Sequence, residues 1–312
     1  MLPRKGGVGV SEWELLSRIA AEVPRAGDDC ALIPFQGTNL LLTIDVLHRS
    51  ADFPAGTDPY TMGWRAVAVT LSDIAAMGGK PLAVVLALSA PDLEEPFEGI
   101  LHGAGDCAQA AGCELVGGDL DISEELFLIS SGLGEAERPV PRSGARPGDR
   151  LYLTGPLGRT YLALLFFSRG KTTAANELFR FTPRLREGQL LAGIATSMID
   201  LSDSFAHSLH ILSRASGTGF RVEAERIPLL QGIPREELEH VLYFGEDYEL
   251  LFTAPPEALP PGPWVEIGEA TPEPGIRLSH SGRLKAIADR GWEHGASQAS
   301  PNRHLSERRR EP

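Results

Sequence analysis

Cysteine is scarce: the chain has three in 312 residues, Cys30, Cys107 and Cys113, and no CxxC pair among them. That leaves nothing with which to build a thiolate zinc site or a disulfide framework, and a reducing, cytoplasmic setting is expected. Long apolar runs are missing too. No stretch of about 18 apolar residues occurs, and Arg4 and Lys5 are not followed by an apolar segment, so neither membrane insertion nor export is expected. Positive charge is short as well: 29 Lys and Arg stand against 42 Asp and Glu, a formal net charge of -13. A nucleic-acid partner normally requires a basic face to neutralise phosphates, so none is expected.

Familiar local signatures are absent in the same way. Gly103-Ala104-Gly105 lacks the third glycine of a dinucleotide fingerprint. Arg169-Gly170-Lys171-Thr172 looks like the end of a P-loop, but the motif's first glycine would fall on Leu165 inside an apolar helix, so the segment reads as a helix C-cap. His207 and His210 share a helix face at i, i+3 without a third ligand at suitable spacing, and they read as a solvated face. No nucleophile elbow is present.

What the chain does have is carboxylate beside small residues. Six such motifs are spread along it: Gly27-Asp28-Asp29, Thr43-Ile44-Asp45, Leu71-Ser72-Asp73, Gly117-Gly118-Asp119, Asp200-Leu201-Ser202-Asp203 and Gly245-Glu246-Asp247. Hard Mg²⁺ prefers oxygen ligands shared with substrate phosphates, and acids at the ends of separate elements can converge on it. Each motif also has a bland reading. Gly27-Asp28-Asp29 can be a plain turn, Asp73 can face solvent from an Ala- and Met-rich helix, Asp119 can sit in a structural turn, and Asp203 is a natural N-cap. Asp45 is harder to dismiss, because a carboxylate ending an apolar strand is costly unless paired or metal-bound. Taken jointly, the six favour one phosphoryl-transfer site.

At this length, with 42% hydrophobic residues, two domains are expected. The segment after Gly9 reads as a helix opened by Ser11 and Glu14 and closed before Pro24. Strands are expected at 39–45, 83–89, 113–116, 126–131, 150–154, 249–253 and 264–267. Helices are expected from the Asp58-Pro59 cap, and at 94–111, 157–167, 185–197 and 204–216. The Pro- and Gly-rich stretch 135–149 marks the boundary, giving domains 1–138 and 139–296 and a polar, disordered tail 297–312.

The ordered set Gly27-Asp-Asp-Cys-Ala-Leu-Ile, Gly63-Trp-Arg-Ala-Val-Ala-Val-Thr-Leu-Ser-Asp-Ile-Ala-Ala-Met-Gly, Gly117-Gly-Asp, Arg142-Ser-Gly-Ala-Arg-Pro-Gly-Asp, Ile199-Asp-Leu-Ser-Asp and Gly245-Glu-Asp-Tyr-Glu-Leu-Leu-Phe-Thr resembles the thiamine-monophosphate kinases over roughly residues 12–294. Their superfamily also holds aminoimidazole ribonucleotide synthetase, selenophosphate synthetase and a hydrogenase-maturation dehydratase. The resemblance implies an α/β (α+β) two-domain fold whose N-terminal sheets pair into a barrel-like interface of a homodimer. It implies ATP and thiamine monophosphate as small-molecule substrates and several Mg²⁺ ions, and leaves a K⁺ requirement open. Asp29, Thr43, Asp45, Asp73, Asp119, Asp200 and Asp203 fall at its metal positions, with Asp73, Asp119 and Asp203 as the catalytic set. Gly118, Asp119, Arg142 and Ser202 fall at nucleotide positions, and Glu246 and Trp292 at substrate positions.

The chain departs from that pattern in places. Asp52 stands where a substrate-facing His is expected, with His48 nearby. Ser204 stands for Gly after Asp203, Ile44 replaces a small hydroxyl residue beside the metal, and Phe244 replaces a glycine before Gly245. Two other readings keep part of the site: an ATP-using relative with a different acceptor, and a non-catalytic nucleotide-binding paralogue. The start of the chain offers no reactive Cys of the kind selenophosphate synthesis would need.

Overall fold

The computed structural model describes residues 26–291 except 93 and 260, together with residues 15, 18, 19, 21, 22 and 23. The tail assigned to 297–312 and Trp292 lie outside the described residues, as does the Ser11–Glu14 capping box of the first expected helix. Leu15, Arg18, Ile19, Ala21 and Glu22 are helical.

The first half is a five-stranded sheet in the order β1-β2-β5-β3-β4, built from β1 (Ala31–Phe35), β2 (Thr38–His48), β3 (Lys80–Ala90), β4 (Glu114–Ile122) and β5 (Phe127–Ala136). All neighbours are antiparallel except β3 and β4. Along β2 the side chains alternate as a pleated strand requires. Leu41, Thr43 and Leu47 are buried, while Leu42, Ile44 and Val46 stand exposed on the opposite face. A short turn, α1 (Arg49–Asp52), follows β2.

The sheet's buried face is covered by α2 (Pro59–Ala76), which also packs on α3 (Glu94–Ala110) and, from the second half, on α6 (Leu185–Leu191) and β7 (Ser197–Asp200). This helix starts where Asp58 accepts from the Thr61 N–H at 2.6 Å with Pro59 at the first position. It is apolar nearly all round because it is enclosed on nearly every side. The α2 and α3 backbones touch: a Cβ on Gly63 would lie 1.9 Å from the Ile100 carbonyl oxygen, and one on Gly103 1.9 Å from that of Tyr60. Gly103→Ala should therefore cost about 3 kcal/mol or more, since one helix must move off the other. Denaturant unfolding that showed a loss below about 1 kcal/mol would refute that contact.

The second half is a seven-stranded sheet in the order β12-β11-β8-β10-β6-β9-β7. Its strands are β6 (Arg150–Leu153), β7, β8 (Gly219–Glu223), β9 (Leu250–Ala254), β10 (Val265–Thr271), β11 (Ile276–His280) and β12 (Arg283–Ala286). Beside it lie α4 (Arg159–Ser168), α5 (Thr172–Phe179), α6, α7 (Phe205–Ser216) and α8 (Leu238–Leu242). A second apolar core, including Leu153, Ile199, Phe205, Leu209, Phe220, Val222 and Leu251, fills this half.

Three expectations need correction. The helix expected over 185–197 stops at Leu191. Gly193 turns with a φ of 80°, and Ser197–Asp200 then pairs with β9 as a buried strand. The N-cap of α7 is Ser204, whose hydroxyl accepts from the His207 N–H, not Asp203. Asp119 lies within edge strand β4 rather than in a turn at a strand end. The Arg169 segment does end α4, with Gly170 at a φ of 70°.

Candidate functional site: a buried carboxylate cluster between the halves

Thr43 and Asp45 lie two apart on the inward face of β2, opposite the inner face of α2. Thr70 donates to Asp45 at 2.7 Å, and Thr43 donates to Asp73 at 2.5 Å, so two hydroxyls knit strand to helix through their acids. Ser72 donates at 2.6 Å to Asp200, which ends β7 in the other half. Asp29, in the loop before β1, is held by Arg142 through Nε at 3.2 Å and Nη2 at 3.0 Å, the planar fork of a bidentate pair. The Arg142 backbone N–H is held in turn by Asp28 at 2.8 Å.

The carboxylate oxygens of Asp29, Asp73 and Asp200 lie within 4.8 Å of one another. Burial pushes Asp45 up to about 6, and burial together with the neighbouring Asp29 pushes Asp200 up to about 8. Asp73 is raised well above the usual carboxylate range by burial and then by Asp45, Asp200 and Asp29. Arg142 supplies one positive charge. Hard carboxylate oxygens this close together are a set that suits a divalent cation, which would invert this local pKa order.

A sign follows for stability. These acids bind protons more tightly folded than unfolded, so without metal the fold loses stability as pH rises from about 4 toward about 8. Calorimetry of chelator-treated protein should show Tm falling by about 5 °C or more between about pH 5 and about pH 8, with millimolar Mg²⁺ restoring most of it. A Tm that ignores both pH and Mg²⁺ would show the cluster holds no cation.

Of the remaining expected positions, only some fall beside this cluster. Ser202 and Asp203 lie in the loop after β7, directly beyond Asp200. Glu246 is tied to that loop, its N–H donating to the Ser202 carbonyl at 2.6 Å. Gly118 and Asp119 are not brought into the cluster. Asp45 pairs with Ser130, Ser130 with Leu86 and Leu86 with Gly118, three strand spacings that come to about 14 Å. Asp119 is exposed and accepts from the Leu120 N–H. Asp52 accepts from the His48 N–H at 2.7 Å, which fixes the turn after β2, and His48 faces Glu125 at 3.1 Å. Ile44, 67% exposed, points away from Asp45 and does not stand beside the cluster. Asp247 serves α4, accepting from the Gly158 and Arg159 N–H groups.

The histidine pair is not a solvated face. His207 is buried against Asp289 at 2.6 Å, and His210 meets the Ile287 carbonyl. Residue patterns also left Arg65 unremarked, a buried arginine in α2 whose Nη2 lies 3.0 Å from Glu246. Its signal was present in the sequence: a lone cation on an apolar helix with Thr61, Met62, Ala68 and Val69 at the i±3 and i±4 positions and no acid among them.

Comparison with known proteins agrees with this geometry. Residues 27–136 match the family described as AIR synthase related protein, N-terminal domain, and residues 146–281 match AIR synthase related protein, C-terminal domain. A curated thiamine-monophosphate kinase of Halobacterium salinarum is 40% identical over 296 residues, 91% of this chain and all of that one. One of Archaeoglobus fulgidus is 35% identical, covering 87% of this chain and 91% of that one. Among solved structures, AaThiL complexed with AMPPCP and TMP superposes with a TM-score of 0.84 at 31% identity, over 91% of this chain and 97% of that one. Among the described residues no helix is long and apolar enough to cross a membrane.

Proposed function

The chain belongs to the AIR synthase related protein family, and within it to the thiamine-monophosphate kinases; from that premise we propose how its own residues carry out ATP-dependent phosphorylation of thiamine monophosphate to thiamine diphosphate. The observation that carries the reading is the buried convergence of Asp29, Asp73 and Asp200, with Asp45, Thr43 and Arg142 around it.

The acceptor is a phosphate monoester with a second pKa of about 6, so at neutral pH it is already largely ionised and needs no general base. A terminal oxygen of that phosphate attacks the γ-phosphorus of ATP. The bond from γ-phosphorus to the β,γ-bridging oxygen breaks, and ADP leaves with the electron pair. Mg²⁺, when held by Asp29, Asp45, Asp73 and Asp200, would neutralise charge on the phosphoryl oxygens. Thr43, Thr70 and Ser72 hold three of those carboxylates in place by donating to them. Arg142 restrains Asp29 and supplies a cation for the triphosphate. Ser202 and Asp203, at the loop that opens α7, would contact the nucleotide and help to hold its metal. Gly118 and Asp119 contact the nucleotide from the sheet edge rather than completing the carboxylate cluster. Glu246 faces the thiamine moiety, as Trp292 does in the family pattern, and Asp52 serves its turn.

The N-terminal sheet would pair with that of a second copy. Its outer face carries Ile44 at 67%, Val46 at 50% and Val85 at 40% exposure, an apolar surface that a partner would cover. Val46→Glu should then convert a dimer to a monomer in light scattering.

The test of function is product formation. ADP and thiamine diphosphate should appear one for one from Mg-ATP and thiamine monophosphate, with free thiamine giving neither. ATP bound without product would move the reading to another acceptor or to a binding protein.

A further inference from the structure

Arg65 is 1% exposed, among the largest fully buried side chains in the molecule, and it is a cation. A charge taken out of water needs a partner, and its own helix gives it none. Aromatic rings from the second half enclose it instead. The guanidinium carbon lies 3.8 Å from the centroid of Phe179, 5.7 Å from Phe181 and 5.3 Å from Tyr248. Phe181 and Tyr248 stack on each other at 4.2 Å with only 3° between their planes, which keeps the cage rigid. Nη1 donates to the Phe179 carbonyl at 3.3 Å, while Nε and Nη2 are buried without a hydrogen bond. Nη2 nevertheless lies 3.0 Å from Glu246 Oε1, so that contact holds by charge rather than by donor geometry.

Glu246 sits in an unusual conformation. Its φ is 58° and that of Tyr248 is 51°, the left-handed region that non-glycine residues seldom occupy. Such backbone persists only where surroundings over-determine it, and it gathers at functional sites. Here the surroundings can be named. The Glu246 N–H donates to Ser202, its carbonyl accepts from Thr160 Oγ1 at 2.7 Å, and its carboxylate meets Arg65.

We propose that Arg65 is a positioning residue for the acceptor site: held in the Phe179–Phe181–Tyr248 cage, it fixes the Glu246 carboxylate beside the Asp200–Asp203 loop and so sets affinity for thiamine monophosphate rather than for ATP. The inference rests on the kinase reading and on Glu246 facing the thiamine moiety. Lysine would keep the charge but lose the planar stack and the fork, so Arg and Lys are not interchangeable at this position.

The experiment compares Arg65→Met, Arg65→Lys, Glu246→Gln and the Met/Gln double variant with wild type in steady-state kinetics and in calorimetric binding of each substrate. Arg65→Met should raise KM for thiamine monophosphate about tenfold or more while KM for ATP stays within about twofold. Arg65→Lys should recover part of the loss, Glu246→Gln should reproduce it, and the double variant should be no worse than the worse single, because the two act as one unit. Equal effects on both KM values, a fall in kcat alone, or losses that multiply in the double variant would overturn the proposal. Where Arg65→Met fails to fold, Glu246→Gln decides: an unchanged KM for thiamine monophosphate overturns it equally. A wild type that makes no thiamine diphosphate overturns the kinase reading and this inference with it, whereas an active wild type with indifferent variants overturns the inference alone.

Discussion

Asp73→Asn transfers phosphoryl groups from Mg-ATP to thiamine monophosphate at least about a thousandfold more slowly than wild type, yet unfolds at a higher temperature when metal is absent. Both halves of that expectation come from one geometry. Asparagine has almost the same shape, so α2 and β2 keep their packing. What goes is a negative charge that burial and Asp45, Asp200 and Asp29 all oppose. Without a cation that charge destabilises the fold, and with one it would serve as a ligand together with Asp29 and Asp200. A site built for binding rather than for stability shows this trade. The Mg²⁺-induced rise in Tm should shrink together with kcat. Turnover within tenfold of wild type would remove Asp73 from the site, and a loss of stability would mean its role is to hold Thr43.

Arg142→Ala is expected to do the reverse, losing stability and ATP affinity together. It leaves Asp29, whose side chain is fully enclosed, without its bidentate partner, and breaking a buried pair from one side typically costs about 3 kcal/mol or more. KM for ATP should rise about a hundredfold, with Arg142→Lys intermediate because an ammonium restores charge but not the fork. Asp29→Asn on the Arg142→Ala background should recover stability without recovering ATP affinity. If it recovers both, Arg142 acts only by neutralising Asp29; if stability never falls, water reaches Asp29.

Much of this organisation was legible in the residues. Asp58-Pro59 marked the start of α2. The elements expected at 83–89, 94–111, 113–116 and 126–131 all exist, though β4 runs on to Ile122 and β5 to Ala136. Asp45 was readable as costly because it ends an expected apolar strand; in the structure the strand runs on to His48. The misses have physical causes. Leu185–Ser197 keeps an apolar helical pattern past Leu191, and only the left-handed turn at Gly193 breaks it. The strand β12 is exposed and charged at the edge of its sheet, and β11 beside it offers only Ile276 and Leu278 as an apolar alternation, too short to detect. Ser204 was read as a departure from the family's glycine. In the structure its φ of 176° is extended backbone that any residue adopts, and its hydroxyl both caps α7 and donates to the Arg290 carbonyl. Arg65 depends on partners more than a hundred residues away, Phe179 and Glu246, which no local pattern encodes.

The central claim is direct transfer from ATP to the phosphate of thiamine monophosphate at the carboxylate cluster, with no covalent enzyme intermediate. The measurement that tests it most directly uses ATP whose γ-phosphoryl group is chiral through oxygen isotopes, with the configuration read in the β-phosphoryl of the thiamine diphosphate formed. A single in-line displacement predicts inverted configuration. Retention would demand a phosphorylated enzyme group and contradict the mechanism, and the absence of labelled thiamine diphosphate would contradict the function itself.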